Sequence, residues 1–442
     1  MNHLCLGCGI CAAICPQERI RMVFSARDGY FIPTAGFEDC EIACGLCERV
    51  CPFVPENPGP VDIAGQLFAK IPSIQKDDVL GYYLQTLAGY STEHRPKSAS
   101  GGLLTWILET LLRRGEIDGA VCVGPDPKSP LLFDFRICRS VEDIRACSGS
   151  CYQPVELSRA LRQVLAQDGR YAVVALPCVA RGLRLAMRSN DQLQARIHMI
   201  FGLVCGQMKS RHFIEYLVHK YAARDYPSRI CFRHKRSNHP ASDYAYRFVW
   251  ENRRILDLGW TEDIARPWGE RWFTLEACDY CDDVFAECAD AAFMDAWLPQ
   301  YAADLRGHSL LLVRNPLVGK ILPRMQDAPL TLEPIDRWAM LASQSGLIHQ
   351  KRILTAYHGA SPHHPKRIPG IRTSRRKRRP DHKLEAWTKA RIRVLTRFGI
   401  LEHSRAGERR IKLLSIPWSM ARLLAGLARP IRRRIRNQIS RD

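Results

Sequence analysis

The chain has 442 residues, enough for about three domains. With 46% apolar and 25% charged residues it is ordinary for a globular protein, which excludes a fibrous or wholly disordered chain. The net charge of +20 is concentrated: residues 361–442 hold 24 Lys and Arg against 5 Asp and Glu, leaving residues 1–360 close to neutral.

Reading from the N-terminus, the first residues carry no basic n-region and no apolar h-region, so a signal peptide is not expected. No uncharged apolar run approaches the roughly 18 residues of a membrane span. Both readings point to the cytoplasm, where thiols stay reduced. The 18 cysteines are too few for a disulfide scaffold of this size, so metal or redox use is expected of them.

Eight of these cysteines fall within residues 1–52, in two related runs. Cys5, Cys8, Cys11 and Cys15 precede Pro16; Cys40, Cys44, Cys47 and Cys51 precede Pro52. The first run has the bacterial ferredoxin spacing, in which three close thiolates wrap one cubane and the fourth reaches the other. That crossing rule assigns Cys5, Cys8, Cys11 and Cys51 to one 4Fe–4S cluster, and Cys15, Cys40, Cys44 and Cys47 to a second. Zinc or structural thiols are the rival reading. Gly7, Gly9 and Gly45 allow backbone N–H groups to approach the sulfides. Three residues separate Cys40 from Cys44 where two are usual, an insertion expected to loosen that cluster or change its potential.

Pro52, Pro55, Pro58 and Pro60 then suggest a linker, taken as residues 57–79. Residues 80–360 read as α/β. Residues 103–112 form a dense apolar stretch after Ser98, Ser100, Gly101 and Gly102, a buried helix with a small-residue start that Gly115 ends. Residues 119–124, 171–176 and 197–205 read as buried strands of a largely parallel sheet.

Five segments of this body, together with the ferredoxin unit, resemble one family: the β subunit of coenzyme F-420 hydrogenase/dehydrogenase and its relatives. They are Lys97–Thr105, Ser148–Pro154, Pro177–Cys178 with Gly182–Arg184, Leu203–Gly206, and Cys278 and Cys281 followed by Ala289–Asp290 and Asp295–Trp297. The resemblance covers roughly residues 1–320. It implies an N-terminal ferredoxin unit on an α/β flavoprotein body that holds FAD and a further 4Fe–4S cluster. The chain departs from the family pattern at Cys151, where a basic residue is common, at Ala175 and Leu176, and at Met294.

Several residues follow as cofactor candidates. Ser98, Ser100, Gly101, Gly102 and Thr105 surround a helix start whose free N–H groups suit a phosphate, and the resemblance puts the flavin there; an ordinary N-cap is the alternative. Ser148, Ser150, Tyr152 and Gln153 could hydrogen-bond a flavin, or form a surface turn. Cys147 and Cys151 could pair as a redox dithiol or be unrelated thiols. Cys178, Cys205, Cys278 and Cys281 are the candidate ligands of the third cluster, with zinc or no metal as alternatives. Arg233 and Lys235 share one strand face and could bind an anionic substrate or the flavin pyrophosphate, or be solvated. Cys122, Cys138, Cys231 and Cys288 read as bystanders, and no catalytic base is identified.

The tail, 361–442, mixes the basic run Arg375–Arg379 with Pro-broken amphipathic stretches around Trp418. It suits an anionic membrane surface, or remains solvated; nucleic acid fits less well, since no recognised motif accompanies it.

The expected fold is therefore α/β. An α+β ferredoxin-like domain (1–56) precedes the linker (57–79), an α/β flavoprotein body (80–360) and a basic helical tail (361–442). The resemblance implies an oxidoreductase passing electrons between 4Fe–4S clusters, fed by a ferredoxin-type carrier, and FAD. Hydride exchange with a deazaflavin coenzyme or another organic substrate would follow. The alternatives are a non-enzymatic electron-transfer component that feeds a partner enzyme, and a family member with altered residues in an assembly role.

Overall fold

The structure, a computed structural model, describes residues 4–34, 40, 44–221, 225–322 and 330–358. The basic tail expected over 361–442 lies outside the described residues.

Residues 4–54 fold as a small α/β unit. Helix α1 (Ile10–Ile14) follows Cys5 and Cys8 and carries Cys11 on its first turn. The hairpin of β1 (Met22–Ser25) and β2 (Tyr30–Pro33) comes next, and α2 (Leu46–Arg49) precedes Cys51. Gly7, Gly9 and Gly45 all take positive φ, which lets the cysteine loops turn sharply. At Gly7 a Cβ would stand 2.3 Å from the Phe31 carbonyl oxygen, so the loop closes onto the hairpin only with glycine there.

The segment read as a linker is partly folded. Pro60–Phe68 forms α3, with Ile63, Ala64 and Phe68 buried. Pro60 occupies the first turn of that helix, where a missing N–H leaves no intrahelical bond unmade. A short hairpin, β3 (Gln75–Asp77) and β4 (Gly81–Tyr83), follows.

The body is built on one eight-stranded sheet. Its strands are β5 (Gln85–Ser91), β6 (Gly119–Pro125), β7 (Phe133–Cys138), β8 (Tyr171–Ala175) and β9 (Ile197–Leu203), and later β13 (Ala291–Asp295), β14 (Ser309–Val313) and β15 (Leu330–Pro334). The order is β15-β5-β14-β13-β9-β8-β6-β7. The central strands β6, β8, β9 and β13 are parallel, and every other pairing is antiparallel. The sheet is thus mixed, where a largely parallel one was expected. A separate three-stranded antiparallel sheet comprises β10 (Arg229–His234), β11 (Ala245–Val249) and β12 (Ile255–Gly259).

The apolar runs produce the core. Helix α4 (Leu103–Arg113) buries Leu103, Ile107, Leu108 and Leu111 against one face of the sheet, where α5 (Val141–Ala146) adds Ile144. On the other face lie α6 (Ser158–Ala166) and α7 (Pro177–Ser189), which carry Leu161, Val179 and Leu183. Leu4, Leu6, Ile10, Ile14, Val50 and Phe53 of the N-terminal unit join that same apolar cluster. At about 1.5–3 kcal/mol per buried aliphatic or aromatic side chain, this makes the unit an integral layer of the molecule. Polar contacts fix its register: Leu157 N–H donates to the Cys8 carbonyl (2.9 Å), and the Arg162 guanidinium to the Ala12 carbonyl (2.9 Å). Among the described residues no helix is long and apolar enough to cross a membrane.

Candidate iron–sulfur and cofactor site

Cys5, Cys8, Cys11 and Cys51 act on one another, and Cys47 acts on Cys11 as well. Burial raises the Cys8 thiol well above its ordinary pKa, and the neighbouring thiols of Cys11, Cys5 and Cys51 add to the effect. For the same reasons Cys11 is pushed up to about 12, and Cys51 to about 11. Cys51 thus reaches back across the unit to the first loop. Cys47 stands near Cys44. Residues 41–43, the whole of the unusual gap after Cys40, lie outside the described residues.

A second group of thiols forms where the central strands end. Cys178 sits on the first turn of α7, directly after β8, and Cys205 follows β9. Cys278 and Cys281 lie in and just after the turn Glu276–Tyr280. The four converge: burial raises Cys178 well above its usual value, reinforced by Cys281, Cys205 and Cys278 in turn. Burial takes Cys205 to about 12. Cations surround the group. Lys351 Nζ donates to Cys281 Sγ at 3.1 Å, and the Met208 backbone N–H donates to Cys278 Sγ at 3.2 Å. Arg271, paired with Asp279 at 2.9 Å, favours the charged form of Cys278.

Arg181, one turn beyond Cys178, links this group to the N-terminal unit. Its guanidinium donates to the Pro58 and Asn57 carbonyls (3.0 Å each), while the Asn57 amide donates to the Cys51 carbonyl (2.8 Å). Arg181 interacts with Cys281 on one side and Cys51 on the other. A cavity of about 30 Å³ between them is lined by Pro52, Phe53, Pro177, Cys178, Arg181 and Cys281.

Among the described residues there is no group of three or more His, Cys, Asp or Glu that could hold a metal ion. One tetrahedral zinc would draw its sulfurs to about 3.8 Å apart. A cubane places each thiolate on a different iron and asks for a wider frame.

The loop from Ser91 to Gly102 sits at the same end of the sheet. Buried Glu109 of α4 holds it through His94 Nε2 (2.8 Å), with Ser91 Oγ on the other ring nitrogen (2.7 Å). Gly101 N–H donates to Ser309 Oγ at 2.9 Å. Lys235 Nζ donates to three carbonyls, those of Arg95, Ser100 and Arg306. An ammonium has three N–H donors, so Lys235 is fully engaged in holding this loop. Arg233 pairs with both oxygens of Asp295 (2.8 and 2.9 Å) and donates to the Ala99 carbonyl (3.2 Å). Four buried groups of this neighbourhood have atoms without a hydrogen-bond partner among the described residues: Arg95 Nε and Nη1, Ser98 Oγ, Arg233 Nε and the Tyr246 hydroxyl. Each orphaned buried donor costs about 1–3 kcal/mol, and Arg162, Ser210, Arg271 and His308 carry further such atoms.

The structure therefore brings Ser98, Ser100, Gly101, Gly102 and Lys235 to one place, with Thr105 on the first turn of α4. Tyr152 stacks on Tyr246 with ring centroids 5.9 Å apart and joins them through Arg233. Ser148 Oγ donates to the Arg145 carbonyl (2.7 Å) and, more weakly, to the Lys97 carbonyl (3.5 Å), and Ser150 has no described hydrogen bond. Gln153 is directed elsewhere, donating to the Leu131 carbonyl and the Tyr226 hydroxyl (3.0 Å each). Cys147 lies beside Cys138 (3.5 Å) rather than Cys151. Cys288 donates to the Pro60 carbonyl. Sequence reasoning missed Arg181, Arg95 and Lys351, because a single cation carries no signal until the fold buries it.

A cysteine-rich unit docked against a mixed α/β body, with a second thiol group behind it, defines an iron–sulfur protein of the electron-transfer class. Residues 4–54 match the 4Fe–4S dicluster domain, which supports two clusters there. Residues 86–162 and 168–337 match the N-terminal and C-terminal parts of the coenzyme F420 hydrogenase/dehydrogenase beta subunit, together more than half of the chain. The chain belongs to that family, and is classed with its oxidoreductases.

Among its relatives is a component of the F(420)H(2) dehydrogenase of Methanosarcina mazei, 30% identical over 221 residues, which are 48% of this chain and 55% of that one. The coenzyme F420-dependent sulfite reductase of Methanocaldococcus jannaschii is 29% identical over 185 residues, 41% of this chain and 25% of the relative. The chain thus spans about half, or less, of these curated relatives. A chain of the F420-reducing NiFe hydrogenase complex from Methanosarcina barkeri has a similar fold. Its TM-score is 0.50 at 18% identity, over 67% of this chain and 99% of that one.

Proposed function

We propose that the protein is an iron–sulfur flavoprotein oxidoreductase. It would pass electrons between 4Fe–4S clusters and FAD and exchange a hydride with a deazaflavin coenzyme or another organic substrate. The observation that carries this reading is the convergence of Cys178, Cys205, Cys278 and Cys281 among buried cations, across a small cavity from the N-terminal unit. Those four thiols would hold a third 4Fe–4S cluster. Arg181 would keep the first cluster, on Cys5, Cys8, Cys11 and Cys51, next in line to it. The second cluster, on Cys15, Cys40, Cys44 and Cys47, would then stand farther from the body and meet a ferredoxin-type donor.

The four orphaned polar groups at Arg95, Ser98, Arg233 and Tyr246 support a flavin at the Ser98–Gly102 loop. Bound FAD would supply both one-electron exchange with clusters and two-electron hydride chemistry. In this reading Ser98 and Arg95 bind its polar groups, Lys235 holds the loop in shape, and Tyr152 packs beside it. The names of the relatives make a deazaflavin the first substrate to try. The charge of 361–442 supports contact with an anionic membrane surface.

The experiment reduces anaerobically reconstituted protein with a one-electron viologen donor and adds the deazaflavin coenzyme. Bleaching of the deazaflavin absorbance is expected. Clusters that reduce without any flavin signal would favour the second reading, a non-enzymatic electron carrier. That reading draws on the full engagement of Lys235 and on Cys151 in place of a cation.

A further inference from the structure

The helix Ser345–His358 lies beyond the matched segments and brings one charged side chain into the second thiol group. Lys351 is 2% exposed. Its Nζ donates to Cys281 Sγ at 3.1 Å and to the Asp283 carbonyl at 2.6 Å. One turn on, buried Thr355 donates to the Lys351 carbonyl at 2.9 Å. Lys351 also acts on Cys178, Cys205 and Cys278.

A buried ammonium is costly unless an opposite charge answers it; the thiols of Cys281 and Cys205 act on Lys351, and the buried Asp283 carboxylate acts on it as well. The other cations nearby are otherwise engaged. Arg271 has the Asp279 carboxylate at 2.9 Å. Lys209 is held by the Trp272 carbonyl (2.8 Å) and Thr274 Oγ1 (3.2 Å). Arg181 is shared with Cys51. Lys351 alone of these places its charge directly on a sulfur of the group.

We infer that Lys351 compensates the charge of a 4Fe–4S cluster held by Cys178, Cys205, Cys278 and Cys281, and raises its reduction potential through a charge-assisted bond to the Cys281 thiolate. The inference rests on the third cluster proposed above. One electron enters the cluster from the N-terminal clusters on reduction. No bond to the lysine forms or breaks, and the ammonium keeps its protons. A fixed positive charge in a low-dielectric surrounding favours the state with the extra electron, so removing it lowers the potential.

The test reconstitutes full-length protein anaerobically as wild type, Lys351→Met and Lys351→Arg. It counts iron and follows each cluster by electron paramagnetic resonance during reductive titration, without substrate. Wild type and Lys351→Met are each expected to hold about twelve irons. In Lys351→Met one of three transitions shifts to more negative potential while the other two stay; Lys351→Arg stays close to wild type. Twelve irons with three unmoved transitions in Lys351→Met would overturn the role of the lysine alone. About eight irons in wild type would overturn the third cluster and the inference with it. Should Lys351→Met lose about four irons, retention of them by Lys351→Arg supports the charge requirement, and loss by both variants overturns it.

Discussion

Cys178 is a half-buried and Cys288 a buried thiol of the body, and their surroundings differ. Cys178 stands among three other thiols, whereas Cys288 donates to the Pro60 carbonyl. Cys178→Ser is therefore expected to lower the iron content by about four atoms per chain. Cys288→Ser is expected to leave it unchanged. Equal losses in iron analysis would contradict the assignment. Lys235 gives a prediction of a different kind. Burial, with Arg233 and Arg95 beside it, lowers its ammonium to about 8, while the unfolded chain keeps that proton to about 10.4. Between those values the unfolded chain binds more protons than the native one, so stability rises with pH. Lys235→Met should remove that rise. Denaturant midpoints of the two proteins, measured from pH 7 to 10, should diverge in favour of wild type; parallel curves would contradict the low value.

At the scale of elements, the approach of α7 to α1 decides how the N-terminal unit meets the body. A Cβ on Gly182 would stand 2.7 Å from Ile10 Cδ1 and 3.5 Å from the Val50 carbonyl oxygen. The nearest atom is the free end of a flexible side chain, so Gly182→Ala should be tolerated. Gly182→Leu has no room, and overpacking of this kind costs about 1–3 kcal/mol. It should leave the iron count intact, slow electron transfer from the N-terminal clusters to the body, and lower the unfolding midpoint. An unaltered transfer rate in stopped-flow reduction would show that the two units do not meet here.

Strands at 119–125, 171–175 and 197–203 and the helix at 103–113 were legible because largely buried elements read as dense apolar stretches. β5, with Gln85, Thr86 and Ser91, alternates too weakly to announce itself, and so the antiparallel half of the sheet was missed. Helix α3 was hidden by the prolines that precede it, since Pro60 both ends a turn and starts a helix.

Across the whole molecule, the carboxyl ends of the central strands gather what the sequence scatters. Cys178 follows β8, Cys205 follows β9 and Asp295 ends β13, while Ser309 opens β14 opposite it. Open α/β sheets bind ligands at this end for the same topological reason. The cysteines were visible in the sequence because a thiolate is a specific ligand type. Their buried cations were not, because Arg181 and Lys351 acquire meaning only when helices far apart in sequence meet. The proposed electron path is a chain of three clusters leading to a flavin. Iron, acid-labile sulfide and flavin per chain, measured on anaerobically reconstituted protein, address it most directly. About twelve irons and one FAD are expected; about eight irons and no flavin would contradict it.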